Sequence, residues 1–161
     1  MAAAVSTLRD GGETIQLVVA GKRGWLADRV DRELAERGVA GSVRFLGYVD
    51  DRDLPALYSG ASVFALPSLY EGFGLPVLEA MACGVPVVAA DNSALPEIGG
   101  DAALYAAAED VDAIAAALSR LLAEPDLRAR MVERGFARAA ALTWRAAAEA
   151  TLAVLRRTRD G

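Results

Sequence analysis

The chain has 161 residues, a length that suits one domain with a sizeable hydrophobic core. The formal net charge is −5 and no block of lysine or arginine occurs, which argues against a nucleic-acid partner and against attachment to an anionic membrane. With no histidine and one cysteine, the chain holds neither a Ser-His-Asp triad, nor a histidine-based metal site, nor an intramolecular disulfide, and a reducing, cytoplasmic setting is expected. The longest apolar stretch, residues 80–90, is too short to be a transmembrane segment.

Short β-rich runs alternate with longer helical patterns along the chain. In chain order, strands are predicted at 15–20, 43–46, 61–66, 85–90 and 103–105. Helices are predicted at 26–37, from Asp50 and Asp51 to about 59, from Pro76 to 82 or 83, and at 110–123, 125–140 and 143–158. This alternation indicates βαβ units and a Rossmann-like α/β fold, an open parallel sheet flanked by helices. A ligand is expected at the carboxyl ends of the strands.

The segment PSLYEGFGLPVLEAMACG at 67–84 combines a strand end, a glycine loop and a helix start. Gly72 and Gly74 let the backbone approach a ligand closely. The free N–H groups of the following helix point at the same place, and the helix dipole adds to their positive potential. The pattern predicts an anion site suited to a diphosphate.

Two carboxylates flank this loop. Glu71 precedes the glycines, and Glu79 lies in the second turn of the helix, where side chains lean toward the helix N-terminus. Carboxylates accept hydrogen bonds from vicinal hydroxyls, so the pair can clamp a ligand. Taken singly, Glu71 is more simply explained as a helix cap and Glu79 as a solvated surface residue; their combination with the loop favours a ligand site.

The central segment resembles the Glu-x7-Glu motif of retaining glycosyltransferases of the GT-B fold (glycosyl transferases group 1, GT4-like). The matching stretches are GKRGW at 21–25, FLGYV at 45–49, LPSLYEGFGLPVLEAMACGVPV at 66–87 and LPE at 95–97. The long central stretch is highly specific, whereas GKRGW and LPE alone are weaker. The resemblance covers nearly the whole chain and implies the carboxyl-terminal, donor-binding domain of such an enzyme.

The resemblance implies roles for particular residues. Glu71 would be the catalytic residue that contacts the transferred sugar, and Glu79 would bind the ribose hydroxyls. The backbone N–H groups of Gly72, Phe73 and Gly74 would face the sugar and diphosphate, with Leu75 beside them. The substrate would be a nucleotide-diphosphate sugar, and neither a cofactor nor a metal is expected.

Two further positions are assigned to the donor. By the same resemblance, the Gly47-Tyr48-Val49 loop would receive the base, mostly through backbone groups. Lys22 is a nearby cation that can touch a phosphate, although a solvated turn explains both Lys22 and Arg23 equally well.

The resemblance also implies features that this sequence lacks. The family neutralises the diphosphate with an Arg and a Lys that follow the first strand of the domain, and no strand is predicted before residue 15; residues 1–10 look like the helix after that strand. The amino-terminal acceptor domain is absent as well, so residues 1–161 are interpreted as a single domain and as a fragment. Any association with a membrane would come through the longer parent protein.

A missing first strand has a consequence for the sheet. In the family order 3-2-1-4-5-6, the strands at 15–20 and 61–66 would both pair with it. We therefore expect the two halves to close up, or another segment to fill the slot, or the exposed edges to recruit a second chain.

Other nucleotide-binding functions fit the sequence less well or stay open. A classical dinucleotide site fits poorly because Gly21 and Gly24 form G-x-x-G, and no P-loop Gly-Lys-Ser/Thr occurs. A nucleotide-sugar epimerase of the GT-B fold and a nucleotide-binding module without catalysis stay open. The sugar, the nucleotide and the acceptor are open too; the acceptor could be a sugar, a lipid-linked sugar or a polysaccharide.

Overall fold

A computed structural model describes residues 1–22, 24 and 27–160 of the chain. Its strands are β1 Leu17–Ala20, β2 Val43–Gly47, β3 Phe64–Leu66, β4 Val87–Ala90 and β5 Ala103–Ala106. Its helices are α1 Ala2–Asp10, α2 Ala27–Glu36, α3 Leu54–Ser59, α4 Leu75–Ala82, α5 Leu95–Gly99, α6 Val111–Ala123, α7 Pro125–Ala141 and α8 Trp144–Asp160. Short 3-10 turns lie at Ala40–Ser42 and Gly100–Ala102.

The predicted α/β fold class is confirmed, because every strand pairing is parallel and helices separate the strands. The observed strands β1, β3 and β4 start two or three residues later than predicted, since the ladder begins only where a partner strand is opposite. The start predicted at Asp50 and Asp51 for the third helix is wrong. Asp50 instead accepts bonds from the backbone N–H and the Nε of Arg52, and α3 begins at Leu54, where Pro55 suits the first turn.

The strands form two sheets rather than one. β1 pairs with β2, and β3, β4 and β5 pair in that order. Within the described ranges no ladder joins β1 to β3, so the two halves have not closed into a continuous sheet. β4 is central to the larger sheet and all four of its residues are buried, as expected for a strand with neighbours on both edges and helices on both faces.

Helix α1 packs against both halves of the molecule. Ala4 and Leu8 belong to a buried cluster with residues of α6 and β4. Val5 belongs to another cluster, with Leu34 of α2 and Val39, against which partly buried residues of β1 and β2 pack. Ile15, just before β1, packs against both clusters. Hydrophobic contacts through α1 therefore connect the two sheets where backbone hydrogen bonds do not.

Parallel strands place their carboxyl ends at one edge of a sheet. The loops at 67–74 and 91–94, which follow the paired strands β3 and β4, are therefore neighbours. At the end of the other sheet the Gly21 N–H donates to the Gly47 carbonyl at 2.8 Å, which joins the turns after β1 and β2. Of the predicted site residues that the structure describes, Lys22, Tyr48, Val49 and residues 71–75 follow strands at these two edges, and Glu79 lies on the helix after β3.

Candidate functional site

The loop between β3 and α4 ends at a glycine that no other residue can replace without strain. Gly74 has φ 93 and ψ 40, and it is the residue before the first turn of α4. A Cβ built there would lie 2.7 Å from Cδ2 of Leu95, which is fully buried. The positive φ and the close side chain both require glycine at this point. The predicted glycine loop at the helix start is thus present in the structure.

The backbone at this helix start has unused donors. The N–H groups of Gly72, Phe73, Gly74 and Leu75 make no hydrogen bond within the part of the chain that the structure describes. Gly74 and Leu75 belong to the start of α4, where a helix leaves such groups free and its dipole creates a positive potential, and Gly72 and Phe73 lie in the loop just before it. An anionic group of a ligand can therefore be bound here by several N–H groups at once.

Glu71 is held by residues from its own loop and from the next one. Its Oε1 accepts a hydrogen bond from the Ser68 hydroxyl at 2.8 Å, and its backbone N–H donates to Ser93 Oγ at 3.1 Å. The Ser93 hydroxyl lies 3.0 Å from Asn92 Oδ1, and the Asn92 amide donates to the Ser68 carbonyl at 3.3 Å. We call Ser68, Glu71, Asn92 and Ser93 the loop latch.

The loop latch includes a strained residue. Ser93 has φ 52, and among the described residues it alone combines a side chain with a positive φ. This conformation costs about 1–2 kcal/mol for a residue with a Cβ. Sequence reasoning missed Ser68, Asn92 and Ser93 as site residues; the only signal was that the turn 91–93 follows a strand at its carboxyl end.

Glu79 is held by a residue of a different helix. The hydroxyl of Tyr58, on α3, donates to Oε2 of Glu79 at 2.9 Å. Burial raises the pKa of Tyr58 well above its ordinary value, and the hydrogen bond to Glu79 raises it further, so the phenol keeps its proton and stays a donor. Glu79 itself is exposed. Tyr58 was not anticipated from the sequence, because 21 residues separate it from Glu79.

Apolar side chains near the loop are open to solvent. Phe73 is 48% exposed and Leu75 is 43% exposed, so both can contact a ligand at the helix start.

The remaining predicted site residues follow the strands of the smaller sheet. Tyr48, which is 70% exposed, and the half-buried Val49 follow β2.

Lys22 lies at the end of β1. It lines a cavity of about 200 Å³ together with Gly21, Val30 and Phe45, among others. Arg23, the second cation predicted in this turn, lies outside the described residues. The predicted site residues therefore fall into one group around α4 and a second group after β1 and β2.

Residues 1–22, 24 and 27–160 contain neither a metal-binding cluster nor a membrane-spanning helix. No cluster of three or more His, Cys, Asp or Glu side chains suited to a metal ion occurs there. Among these same residues no helix combines the length and the apolar character that crossing a membrane requires.

Comparison with known proteins matches this chain to a family model and to mannosyltransferases. The family model described as glycosyl transferases group 1 matches residues 1–138. O-antigen chain mannosyltransferase B of Escherichia coli is 50% identical over 129 residues, which are 80% of this chain and 34% of that protein. A GDP-mannose-dependent alpha-(1-6)-phosphatidylinositol dimannoside mannosyltransferase of Mycobacterium tuberculosis is 35% identical over 153 residues, which are 94% of this chain and 38% of that protein.

A solved structure matches over almost the whole chain. Sucrose-phosphate synthase from Thermosynechococcus elongatus superposes with a TM-score of 0.82 at 30% sequence identity, over 99% of this chain and 42% of that protein. The chain thus spans between 34% and 42% of the length of these three proteins.

Proposed function

The chain belongs to the glycosyl transferases group 1 family, and on that premise we propose that it binds the nucleotide-sugar donor of a retaining glycosyltransferase. The family that the sequence motifs resemble is thereby confirmed. Donor binding, the retaining mechanism and the role of each residue are the proposal. The acceptor site is assigned to the part of the enzyme beyond this domain, since the matched relatives are two to three times longer.

One observation carries the proposal: the start of α4 offers unused backbone N–H groups between two glutamates that are already held in place. The N–H groups of Gly72, Phe73 and Gly74 would bind the diphosphate, which is the most highly charged part of a nucleotide sugar. Leu75 would contact the donor through its exposed side chain. No metal cofactor is part of the proposal.

The two glutamates would bind hydroxyl groups at opposite ends of the diphosphate. A carboxylate has about four acceptor positions, and in Glu71 and Glu79 one oxygen already accepts a bond from a hydroxyl of the protein. The other oxygen of each is left for the ligand. Glu71, near the loop, would accept bonds from the transferred sugar, and Glu79 would accept bonds from the ribose.

The second group of residues would complete the donor site. The loop with Tyr48 and Val49 would receive the base, and Lys22 would lie near the phosphates.

The relatives suggest which nucleotide sugar to try first, because one is named as a mannosyltransferase and another as GDP-mannose-dependent. We therefore propose GDP-mannose as the donor.

Calorimetry with the purified chain tests the proposal. Glu79→Ala is expected to weaken GDP binding about 5- to 150-fold, which corresponds to the loss of roughly 1–3 kcal/mol of hydrogen bonding. Glu71→Ala should weaken GDP-mannose binding more than GDP binding, because it would contact the sugar. Glu133→Ala, an exposed glutamate on α7, is the matched control and should leave both affinities unchanged.

Three results would contradict the proposal. If the chain binds neither GDP nor GDP-mannose at millimolar concentration, donor binding is wrong. Unchanged GDP affinity in Glu79→Ala would exclude the ribose contact. Transfer of mannose to an added acceptor by this chain alone would show that the acceptor site is not elsewhere, since transfer requires an acceptor positioned against the donor.

A further inference from the structure

The carboxylate of Glu79 is oriented by the Tyr58 side chain, which lies outside the Glu-x7-Glu motif at residues 71–79. Glu79 is exposed on α4, and an exposed glutamate without a partner has several rotamers of similar energy. The 2.9 Å hydrogen bond from the Tyr58 hydroxyl to Oε2 selects one of them. Within the described residues, Oε1 accepts no bond and is open to a ligand.

Tyr58 is itself held firmly enough to orient a neighbour. Its ring is half-buried and packs edge-on against Phe64 of β3, with centroids 5.4 Å apart and planes inclined by 70°. It also packs against the buried cluster that includes Met81 and Val87. A phenol fixed by core packing, with its proton retained, is a donor of constant position and direction.

We propose that Tyr58 is a positioning residue for the nucleotide: it holds Glu79 so that the free carboxylate oxygen faces the ribose hydroxyls. This inference rests on the proposed function, because it assigns the ligand of Glu79 to a ribose. Oriented in advance, the carboxylate loses less side-chain freedom when the nucleotide binds, which strengthens binding without any contact between Tyr58 and the ligand.

The alternative is a structural role, in which the bond only joins α3 to α4. The two roles differ in what they affect. A structural bond would change the stability of the chain and would alter the binding of every nucleotide alike. A positioning bond changes affinity only for ligands that carry the hydroxyl groups Glu79 binds.

Calorimetry on Tyr58→Phe separates the two roles. The variant keeps the ring against Phe64 and removes only the hydroxyl, so its thermal midpoint should stay within about 5 °C of the parent chain. We expect GDP binding to weaken about 3- to 10-fold, the effect of losing one oriented hydrogen-bond partner. Binding of 2′,3′-dideoxy-GDP should not change, because that ligand lacks both ribose hydroxyls.

Ser59→Ala is the matched control. Ser59 is adjacent on α3, and its hydroxyl donates to the carbonyl of Cys83 at the end of α4 at 3.4 Å. The control therefore also removes a hydroxyl bond between these two helices, but it leaves Glu79 untouched. It should bind GDP like the parent chain. In a Glu79→Ala background, Tyr58→Phe should cause no further loss, since the side chain that it orients is gone.

The other possible outcomes would overturn the inference, and each shows whether the positioning role alone or the proposed function as well is wrong. Equal losses for GDP and its dideoxy analogue, or an additive loss in the double variant, would assign Tyr58 a structural role. Unchanged GDP affinity in Tyr58→Phe, with a clear loss in Glu79→Ala, would refute the inference and leave the proposed function standing. A parent chain that binds no GDP would refute the proposed function, and this inference with it.

Discussion

Replacing Gly74 with alanine is expected to destabilise the whole chain and to disrupt the helix start at which we place the diphosphate. Gly74 has φ 93, a conformation that residues with a Cβ rarely adopt. The added methyl group would also lie 2.7 Å from Cδ2 of Leu95, a side chain that is fully buried and cannot move aside freely. Backbone strain and overpacking therefore act together at this position.

The size of the effect follows from these two terms. The left-handed backbone conformation costs about 1–2 kcal/mol. Overpacking a tight core position adds about 1–3 kcal/mol. The sum, roughly 2–5 kcal/mol, corresponds to a decrease in the thermal midpoint of roughly 4–20 °C for a domain of this size.

Gly72→Ala is the matched control for this prediction. Gly72 lies two residues earlier in the same loop, its φ is not positive, and no atom lies within 4 Å of the Cβ that alanine would add. Both substitutions reduce the entropy of the unfolded chain equally, so the difference between the two variants reports on the folded state alone. Thermal unfolding followed by circular dichroism measures it. A Gly74→Ala midpoint within about 2 °C of the Gly72→Ala midpoint would refute the reasoning.

Two further predictions concern the loop latch and the split sheet. Ser93→Gly and Ser93→Ala both remove the hydroxyl that accepts the Glu71 N–H, but glycine also relieves the strain at φ 52. In urea unfolding the glycine variant should therefore be more stable than the alanine variant by about 1 kcal/mol, and the opposite order would show that Ser93 is not strained. In hydrogen exchange, amides of β1 and β3 should exchange faster than those of β4, which is paired on both edges and fully buried. Equally strong protection of all three strands would contradict the unpaired edges.

The elements of the fold could be predicted because their signals are local. The runs at 43–46 and 103–105 became β2 and β5 with ends displaced by one residue at most, since each is a short β-prone run that follows turn residues, Gly41-Ser42 and Gly100-Asp101. The helix start at Asp50 was predicted wrongly for a local reason as well. The Asp50 side chain bonds to Arg52 two residues on, a turn that competes with capping.

The partners of the site residues could not be predicted in the same way. Glu71 meets Ser93 22 residues away, and Glu79 meets Tyr58 21 residues away. Neither pair has a sequence signature, because the contacts depend on the register of β3 against β4 and on how α3 packs on α4. The same holds for Gly74, whose lack of space is due to Leu95 on another helix.

The amino-acid sequence alone was enough to identify the family, the alternating α/β elements and the two glutamates at the glycine loop. The family followed from the resemblance of short stretches to a known motif, and the elements and the glycine loop followed from the order of residues, where backbone propensity and spacing act directly. The folded chain added the division into two sheets, the strain at Ser93 and the hydroxyl that holds each glutamate. These features depend on which distant surfaces pack together, and packing follows from the shape of the whole core rather than from any one segment.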